Sequence, residues 1–341
     1  MSEENVALPV ADLSGLSPCL LDAAQELVTL KYTLDSKAKQ NPSFVPEDLH
    51  GPMSGGEYGP HFGETFFNCI IPFLPHDSAE KERNVMMVPT ANTFGCSWRW
   101  WPDSILREGE EDTIREHIFS REGIKRSSFS FIVELGLFLP NEGKNRVNFC
   151  RAHGIEHIPA QVSKVHYPAA EQIKIYAVKC IGGTDYWAVY EHRFVQKLRH
   201  SGYALPLLRA YGVQILNDWP SDLPSIISVL SHENTCTDTT RFHNPVIDIN
   251  LIRQKFERDA ECARIAEQHT KKYLPSLPVN NKPFLLALIF LCYMLCCIVS
   301  LFSDGLLKEI TSSLTMLFLG IMMFLLLPVF RFKSKRTKRR V

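Results

Sequence analysis

Residues 128–162, SFSFIVELGLFLPNEGKNRVNFCRAHGIEHIPAQV, are the stretch of sequence that decides the fold. Its first part, residues 128–139, is a β-rich apolar run long enough to form one buried strand. A polar turn containing Gly143 follows, and residues 147–153 then have helical spacing. Residues 155–162 are apolar again and predict a second short strand. The pattern therefore predicts a strand, a glycine turn, a helix and a returning strand.

The polar turn contains the residues that suggest a binding site. A strand that passes through a glycine turn into a helix presents unpaired backbone N–H groups and the positive end of the helix dipole, a favourable place for phosphate. We expect Gly143, Lys144, Asn145 and Arg146 to bind phosphate there, with the Arg146 guanidinium contacting the anion directly. Glu142 precedes the turn and is a candidate general base, although an exposed turn carboxylate or helix cap is the more usual role.

Residues 142–162 resemble the signature of the ParB/sulfiredoxin-like superfamily, in which a G-x-x-R turn opens a helix that closes with glycine and leads into an "IP" strand. Residues 114–133 are similar to the element that precedes this turn. The resemblance covers about residues 85–180. It implies a small mixed-sheet α+β domain whose G-x-x-R turn, here Gly143 and Arg146, binds nucleotide phosphates. It also makes a nucleotide with Mg²⁺ a candidate cofactor.

The turn departs from both branches of that superfamily. Sulfiredoxins carry a catalytic cysteine directly after the turn glycine, where this chain has Lys144, and Cys150 lies four positions beyond Arg146. ParB proteins typically carry a glutamate and a second arginine where this chain has Lys144 and Asn145. An E-N-x-x-R phosphate motif and a helix-turn-helix region are also missing from the sequence. These departures argue against sulfinic-acid reduction, CTP hydrolysis and DNA clamping, and they leave phosphate binding as the expectation.

Other candidate sites have ordinary structural explanations. Trp98, Trp100 and Trp101 could stack a nucleic-acid base, but a core or edge cluster is the commoner arrangement. His153 and His157 straddle a glycine that should end the helix between them, so no metal site is predicted. The chain lacks the G-x-S-x-G, Walker A, H-E-x-x-H and dinucleotide-binding motifs.

A second passage, residues 185–202, superficially repeats the first. It is expected to place Glu191, His192 and Arg193 at a helix start, but it lacks the turn glycine. We therefore predict an additional structural unit there, packed through ordinary strand residues.

The charge of the chain is balanced overall but uneven along its length. Thirty-seven Lys and Arg match thirty-seven Asp and Glu, yet residues 331–341 hold seven basic residues and no acidic one. The 45% hydrophobic and 22% charged composition is globular and excludes fibrous or disordered classes. Ten cysteines without a C-x-x-C pair predict reduced structural thiols.

Two uncharged runs near the C-terminus, residues 284–302 and 311–330, predict a two-helix transmembrane hairpin, with a buried core hairpin as the alternative. The basic tail should then lie in the cytoplasm by the positive-inside rule, and with two spans so should the N-terminus. The lipid bilayer is accordingly a predicted partner.

The predicted organisation has an α+β domain, an accessory α/β region and the hairpin. Residues 248–273 should form a juxtamembrane helix that either self-associates or exposes a solvated face. The predicted segments are an N-terminal helix and Pro/Gly-rich linker (1–63), the ParB/sulfiredoxin-like domain (64–182), an accessory region (183–245), the juxtamembrane helix and connector (246–283), the hairpin (284–330) and a basic tail (331–341).

Three functions fit the sequence. The first is a membrane-anchored cytoplasmic module that binds a nucleotide or nucleic acid such as DNA through the G-x-x-R turn. The second is an enzyme acting through the same cleft, a phosphotransferase or nuclease. The third is a scaffold whose turn has lost its ligand and which recruits protein partners. Sequence alone does not show which distant carboxylates converge on Arg146, so it leaves open whether the protein is an enzyme.

Overall fold

The computed structural model divides the chain into two compact units, Met1–Arg253 (unit 1) and Gln254–Val341 (unit 2). The tryptophan group 98–101, the connector after residue 272 and the tail beyond residue 331 lie outside the residues that the structure describes. The described residues are 8–51, 53–54, 57–58, 60–76, 79–80, 82–96, 109–268, 271–272, 282–326 and 330–331.

Helices and strands alternate along unit 1, and two long helices follow in unit 2. The helices are α1 (Pro18–Gln40), α2 (Gly63–Ile70), α3 (Glu110–Phe119), α4 (Arg121–Lys125), α5 (Lys144–Ala152), α6 (Ser201–Tyr211), α7 (Ile226–Ser231), α8 (Ile249–Gln268), α9 (Lys282–Phe302) and α10 (Leu306–Leu326). The strands are β1 (Met53–Ser54), β2 (Glu57–Tyr58), β3 (Asn84–Pro89), β4 (Ser128–Ile132), β5 (Leu137–Glu142), β6 (His157–Val165), β7 (Ile173–Cys180), β8 (Gly183–Tyr190), β9 (Phe194–Leu198), β10 (Gln214–Leu216), β11 (Thr237–Asp238), β12 (Val246–Asp248), β13 (Lys271–Lys272) and β14 (Phe330–Arg331).

The first main sheet has the strand order β3-β6-β4-β5 and contains the stretch that decides the fold. Strands β4 and β6 are parallel, whereas β3 with β6 and β4 with β5 are antiparallel, so the sheet is mixed. Its core contains Phe129, Phe138 and Ile158, which are fully buried together with Val147 and Phe149 of α5. The α+β class and the mixed sheet agree with the sequence prediction.

The prediction of one strand over residues 128–139 is wrong, because β4 and β5 form an antiparallel hairpin within this run. A short 3₁₀ turn and Gly136, with φ at +65°, reverse the chain between them. A Cβ at Gly136 would lie 2.6 Å from a methyl carbon of Leu16, so the turn tolerates only glycine without movement. The residues on both sides of the turn are apolar, so the sequence pattern did not indicate that the chain reverses there.

The second main sheet has the order β10-β7-β8-β9-β12-β11. Strands β7 and β8 pair along their whole length from Ile173 opposite Tyr190 to Cys180 opposite Gly183. The segment boundary expected between residues 182 and 183 therefore falls at the turn of one hairpin.

The predicted helix start at Glu191, His192 and Arg193 is wrong, since these residues form the turn between β8 and β9. Glu191 and His192 have φ angles of 51° and 53°, values that close a tight hairpin and cannot begin a right-handed helix. The next helix, α6, begins at Ser201.

Helix α1 is present where apolar residues recur at helical spacing, and Leu20, Leu27 and Leu34 are buried in the main core. The same buried face also contains a charged pair, Lys31 and Asp35, each only 1% exposed. Lys31 donates a hydrogen bond to Asp35 Oδ2, while Asp35 Oδ1 has no partner among the described residues. Burial raises the pKa of Asp35 to about 6, outweighing the opposite effect of the Lys31 ammonium.

Unit 2 contains α9, α10 and most of α8. Within the described residues, no helix is both long enough and apolar enough to cross a membrane. This finding contradicts the predicted two-span hairpin and the membrane localisation with both termini in the cytoplasm that rested on it.

The buried pair in α1 predicts how stability depends on pH. The Asp35 pKa is raised from 3.8 to about 6 in the fold, so protonation of this group contributes stability that is lost as pH rises through about 6. Replacing Lys31 with methionine leaves an uncompensated buried carboxylate and should cost about 3–5 kcal/mol at pH 8. The loss should be smaller at pH 5, where the carboxyl group is protonated, and chemical denaturation at both pH values measures it.

The control is the double variant Lys31→Met/Asp35→Leu, which removes both charges. It should recover most of the stability at pH 8 and lose the pH dependence. A double variant as unstable as Lys31→Met at pH 8 would contradict the interpretation.

Candidate phosphate-binding site

The predicted bend lies between β5 and α5. Gly143 is the residue before the first turn of α5 and has a φ of +88°. A Cβ at this position would lie 2.5 Å from Ser127 Oγ, so the turn requires glycine both for its backbone conformation and for space. Lys144, Asn145 and Arg146 form the first turn of α5. The Arg146 N–H donates to the carbonyl oxygen of Gly143 at 2.9 Å, whereas the N–H groups of Lys144 and Asn145 have no preceding helical turn to bond.

Arg146 is held from one side by the end of α4 and the residues that follow it. Its Nη1 donates hydrogen bonds to the carbonyl oxygen of Gly123 and, at 3.4 Å, to Ser127 Oγ. Its Nη2 lies 3.5 Å from His117 Nε2. The side chain is half-buried and makes no ion pair with the residues that the structure describes. Burial lowers the pKa of Arg146, and the nearby cation of Arg126 acts in the same direction.

An arginine in a surface turn is expected to have an exposed guanidinium group. The Arg146 guanidinium is instead half-buried and hydrogen-bonded within the fold. It connects α5 to the α3–α4 segment, so it contributes to the fold. Arginine remains charged at any physiological pH, and a cation half removed from water is stabilised by an anion.

The other residues of the turn differ in exposure. Lys144 Nζ lies 3.7 Å from the ring centroid of Phe62, which is 53% exposed. Asn145 and Glu142 are exposed. The Glu142 carboxylate makes no hydrogen bond or ion pair with the described residues, so no neighbouring group among them prepares it to act as a base. The structure thus brings the four predicted phosphate ligands together on one turn and leaves Glu142 at its edge.

Cys150 is fully buried on α5, and burial raises the pKa of its thiol to about 12. A thiolate is the reactive form of cysteine, so this group is not a nucleophile at neutral pH. His153 pairs with Glu111, with 2.9 Å between Nδ1 and Oε1, while His157 lies on β6. The described residues contain no group of three or more side chains suited to a metal ion.

The sequence did not indicate the partners of Arg146. Gly123, Ser127 and His117 precede Arg146 by 23, 19 and 29 residues, and they approach it only because α3 and α4 pack beside β6. Phe62 was likewise missed, since it sits in the Pro/Gly-rich segment that sequence assigned to a linker. The only sequence signal that could have indicated Phe62 is its position as an aromatic residue directly before a helix, which begins at Gly63.

The Gly143 turn can be tested by replacing the glycine with alanine. Gly143→Ala should cost more stability than Gly154→Ala, although both positions have positive φ. At Gly154 a Cβ has open space, so the cost there is the left-handed backbone alone, about 1–2 kcal/mol. Gly143→Ala adds the contact with Ser127 Oγ. Equal losses in thermal or chemical unfolding of the two variants would show that the close approach is unimportant.

Comparison of the chain with protein-family models, with curated proteins and with solved structures finds no match. The resemblance to the ParB/sulfiredoxin-like superfamily therefore stays a prediction that rests on the residues quoted for it.

Proposed function

We propose that unit 1 binds the phosphate group of a nucleotide or nucleic acid at the turn Gly143–Arg146. The observation that carries the proposal is the half-buried Arg146 guanidinium, which has neutral hydrogen-bond acceptors but no carboxylate among the described residues. It lies in the first turn of a helix, where backbone N–H groups and the helix dipole also favour an anion.

The charges around Arg146 support an anionic ligand. The nearby Arg126 ends α4, and its only ion pair among the described residues is with Glu122, at 2.6 Å. Two guanidinium groups close enough to affect one another repel, and a phosphate near both would reduce that cost. Arg146 has five N–H donors, and its contacts with Gly123 and Ser127 leave others for a phosphate oxygen.

Lys144 provides a second, movable cation. Its ammonium group rests over the exposed Phe62 ring, an interaction worth about 0.5–1 kcal/mol at an exposed site. A charge-assisted hydrogen bond to phosphate is stronger, so Lys144 can leave the ring when a ligand arrives.

Binding is favoured over catalysis in this proposal. A phosphotransferase or nuclease needs a positioned base or metal, and Glu142 is exposed without a partner among the described residues. The alternative function, a scaffold that recruits protein partners, predicts no affinity for phosphate-bearing ligands. A binding experiment therefore distinguishes the two functions.

Isothermal titration of the full chain with ATP, CTP and a single-stranded oligonucleotide tests the proposal. Lys144→Met removes a cation that makes no hydrogen bond within the described part of the fold, and Arg146→Ala removes the guanidinium group. Each variant should bind these ligands about 10- to 100-fold more weakly than the wild type. Lys179→Met, an exposed lysine on β7, is the matched control and should bind like the wild type.

Melting curves must accompany the titrations, because Arg146 also donates a hydrogen bond to the Gly123 carbonyl oxygen and its loss affects stability. Arg146→Ala is expected to lower the melting temperature, whereas Lys144→Met should change it little. Wild-type protein that binds none of the three ligands would refute the proposal and leave the scaffold function.

A further inference from the structure

Helices α9 and α10 of unit 2 form a hairpin with large apolar side chains on its outside. Only residues 303–305 separate the two helices, and the helices pack against each other, so they run antiparallel. Small and polar side chains lie between them, since Thr311 is buried and Cys296, Ser300 and Thr315 are half-buried. A helix pair in water normally buries its large aliphatic residues and exposes its polar ones. This hairpin exposes the aliphatic residues, so its outer surface needs an apolar partner.

The exposed residues follow the spacing of helices that pack on other helices. In each helix, five of them recur at alternating steps of three and four positions, which is the heptad spacing of a coiled-coil seam. These residues, which we call the outer stripes, are Leu288, Leu291, Leu295, Ile298 and Phe302 in α9 and Leu307, Ile310, Leu314, Leu317 and Ile321 in α10. Each of them is at least 38% exposed, so the described part of the chain leaves both stripes uncovered.

Both outer stripes lie on the same side of the hairpin. At about 100° per residue, the stripe of α10 is rotated about 90° from Thr311 and Thr315, which face α9. The stripe of α9 is rotated about 140° from Cys296 and Ser300, which face α10. The rotation has the same sense in both helices when each is viewed from its N-terminus. Because the helices are antiparallel, this common sense brings the two stripes together as one apolar face.

A second copy of the chain matches this face. The two stripes are equally long and have the same spacing, so the face of one hairpin can pack against the face of another along its whole length. A two-fold axis places the same patch on both partners, and two antiparallel hairpins joined in this way form a four-helix bundle with heptad residues in its core. Ten large apolar side chains exposed together also form a larger patch than monomeric proteins usually leave in water.

The charged residues of the hairpin are compatible with such a bundle. Among the described side chains of α9, α10 and their connection, the charged ones are Asp304, Lys308 and Glu309, which lie at or near the turn and outside both stripes. By the same helical geometry, Lys308 and Glu309 point away from the apolar face. Joining two such faces therefore buries no charge, which would otherwise oppose association.

We propose that the outer stripes of α9 and α10 join two copies of the chain in a symmetric four-helix bundle. The interface belongs to unit 2 and is independent of the phosphate site proposed for unit 1.

Light scattering coupled to size-exclusion chromatography of the full chain tests the proposal. We expect a dimer that dissociates on dilution. Leu295→Glu/Leu317→Glu places two carboxylates per chain in the interface and should raise the dissociation constant of the dimer at least about 100-fold. The matched control, Leu301→Glu/Met316→Glu, adds the same charge at exposed positions on the opposite side of the same helices and should leave the dimer unchanged.

A milder variant separates loss of the interface from loss of the helices. Leu295→Ala/Leu317→Ala introduces the residue with the highest helix propensity, so circular dichroism should show unchanged helix content while the dimer weakens about tenfold or more. A wild-type chain that is monomeric at every concentration would overturn the proposal. Equal weakening by the stripe and control variants, or a wild-type chain that floats as a monomer with phosphatidylcholine vesicles, would overturn it as well.

Discussion

The hydrogen bond from Arg146 to the carbonyl oxygen of Gly123 joins the parts on which the candidate site depends. It fixes the first turn of α5 against the end of α4, and Ser127 beside it also limits the space at Gly143. The guanidinium is therefore held in position by the fold itself, and under the proposed function this would reduce the entropy that binding must overcome. If the turn binds phosphate as proposed, the same contact links stability to binding, because a change at Arg146 then affects both.

Several cations in unit 1 are compensated in different ways. Lys31 is paired with Asp35 inside the core, and Arg193 makes two hydrogen bonds to Asp248, at 3.0 and 2.7 Å. Arg146 is bonded to a carbonyl and a hydroxyl oxygen, which carry no full negative charge. Arg151 is likewise hydrogen-bonded to carbonyl oxygens, those of Thr90 and Thr93, so Arg146 is not alone in this respect. What distinguishes Arg146 is its place in the first turn of α5, at the positive end of the helix dipole.

Local sequence patterns predicted the parts of the fold that local chemistry determines. Periodicity placed α1 and α8, and a glycine with residues of helical spacing after it placed the bend at Gly143 and α5. The reversal at Gly136 was missed because apolar strands flank it, and the turn at Glu191 was missed because it contains no glycine. The partners of Arg146 come from residues far apart in sequence, which local patterns in one sequence do not pair.

The β8–β9 turn places two consecutive residues with side chains, Glu191 and His192, in the left-handed region of backbone space. Each such residue typically costs about 1–3 kcal/mol, a strain that the surrounding sheet must hold. Glycine adopts the same conformation freely, so this hairpin is folded with less than its attainable stability. Glycine at His192 is consequently the simpler change for making the protein more robust for crystallisation or engineering, because the Glu191 carboxylate also bonds Gln172 and Arg241, contacts that glycine at that position would remove.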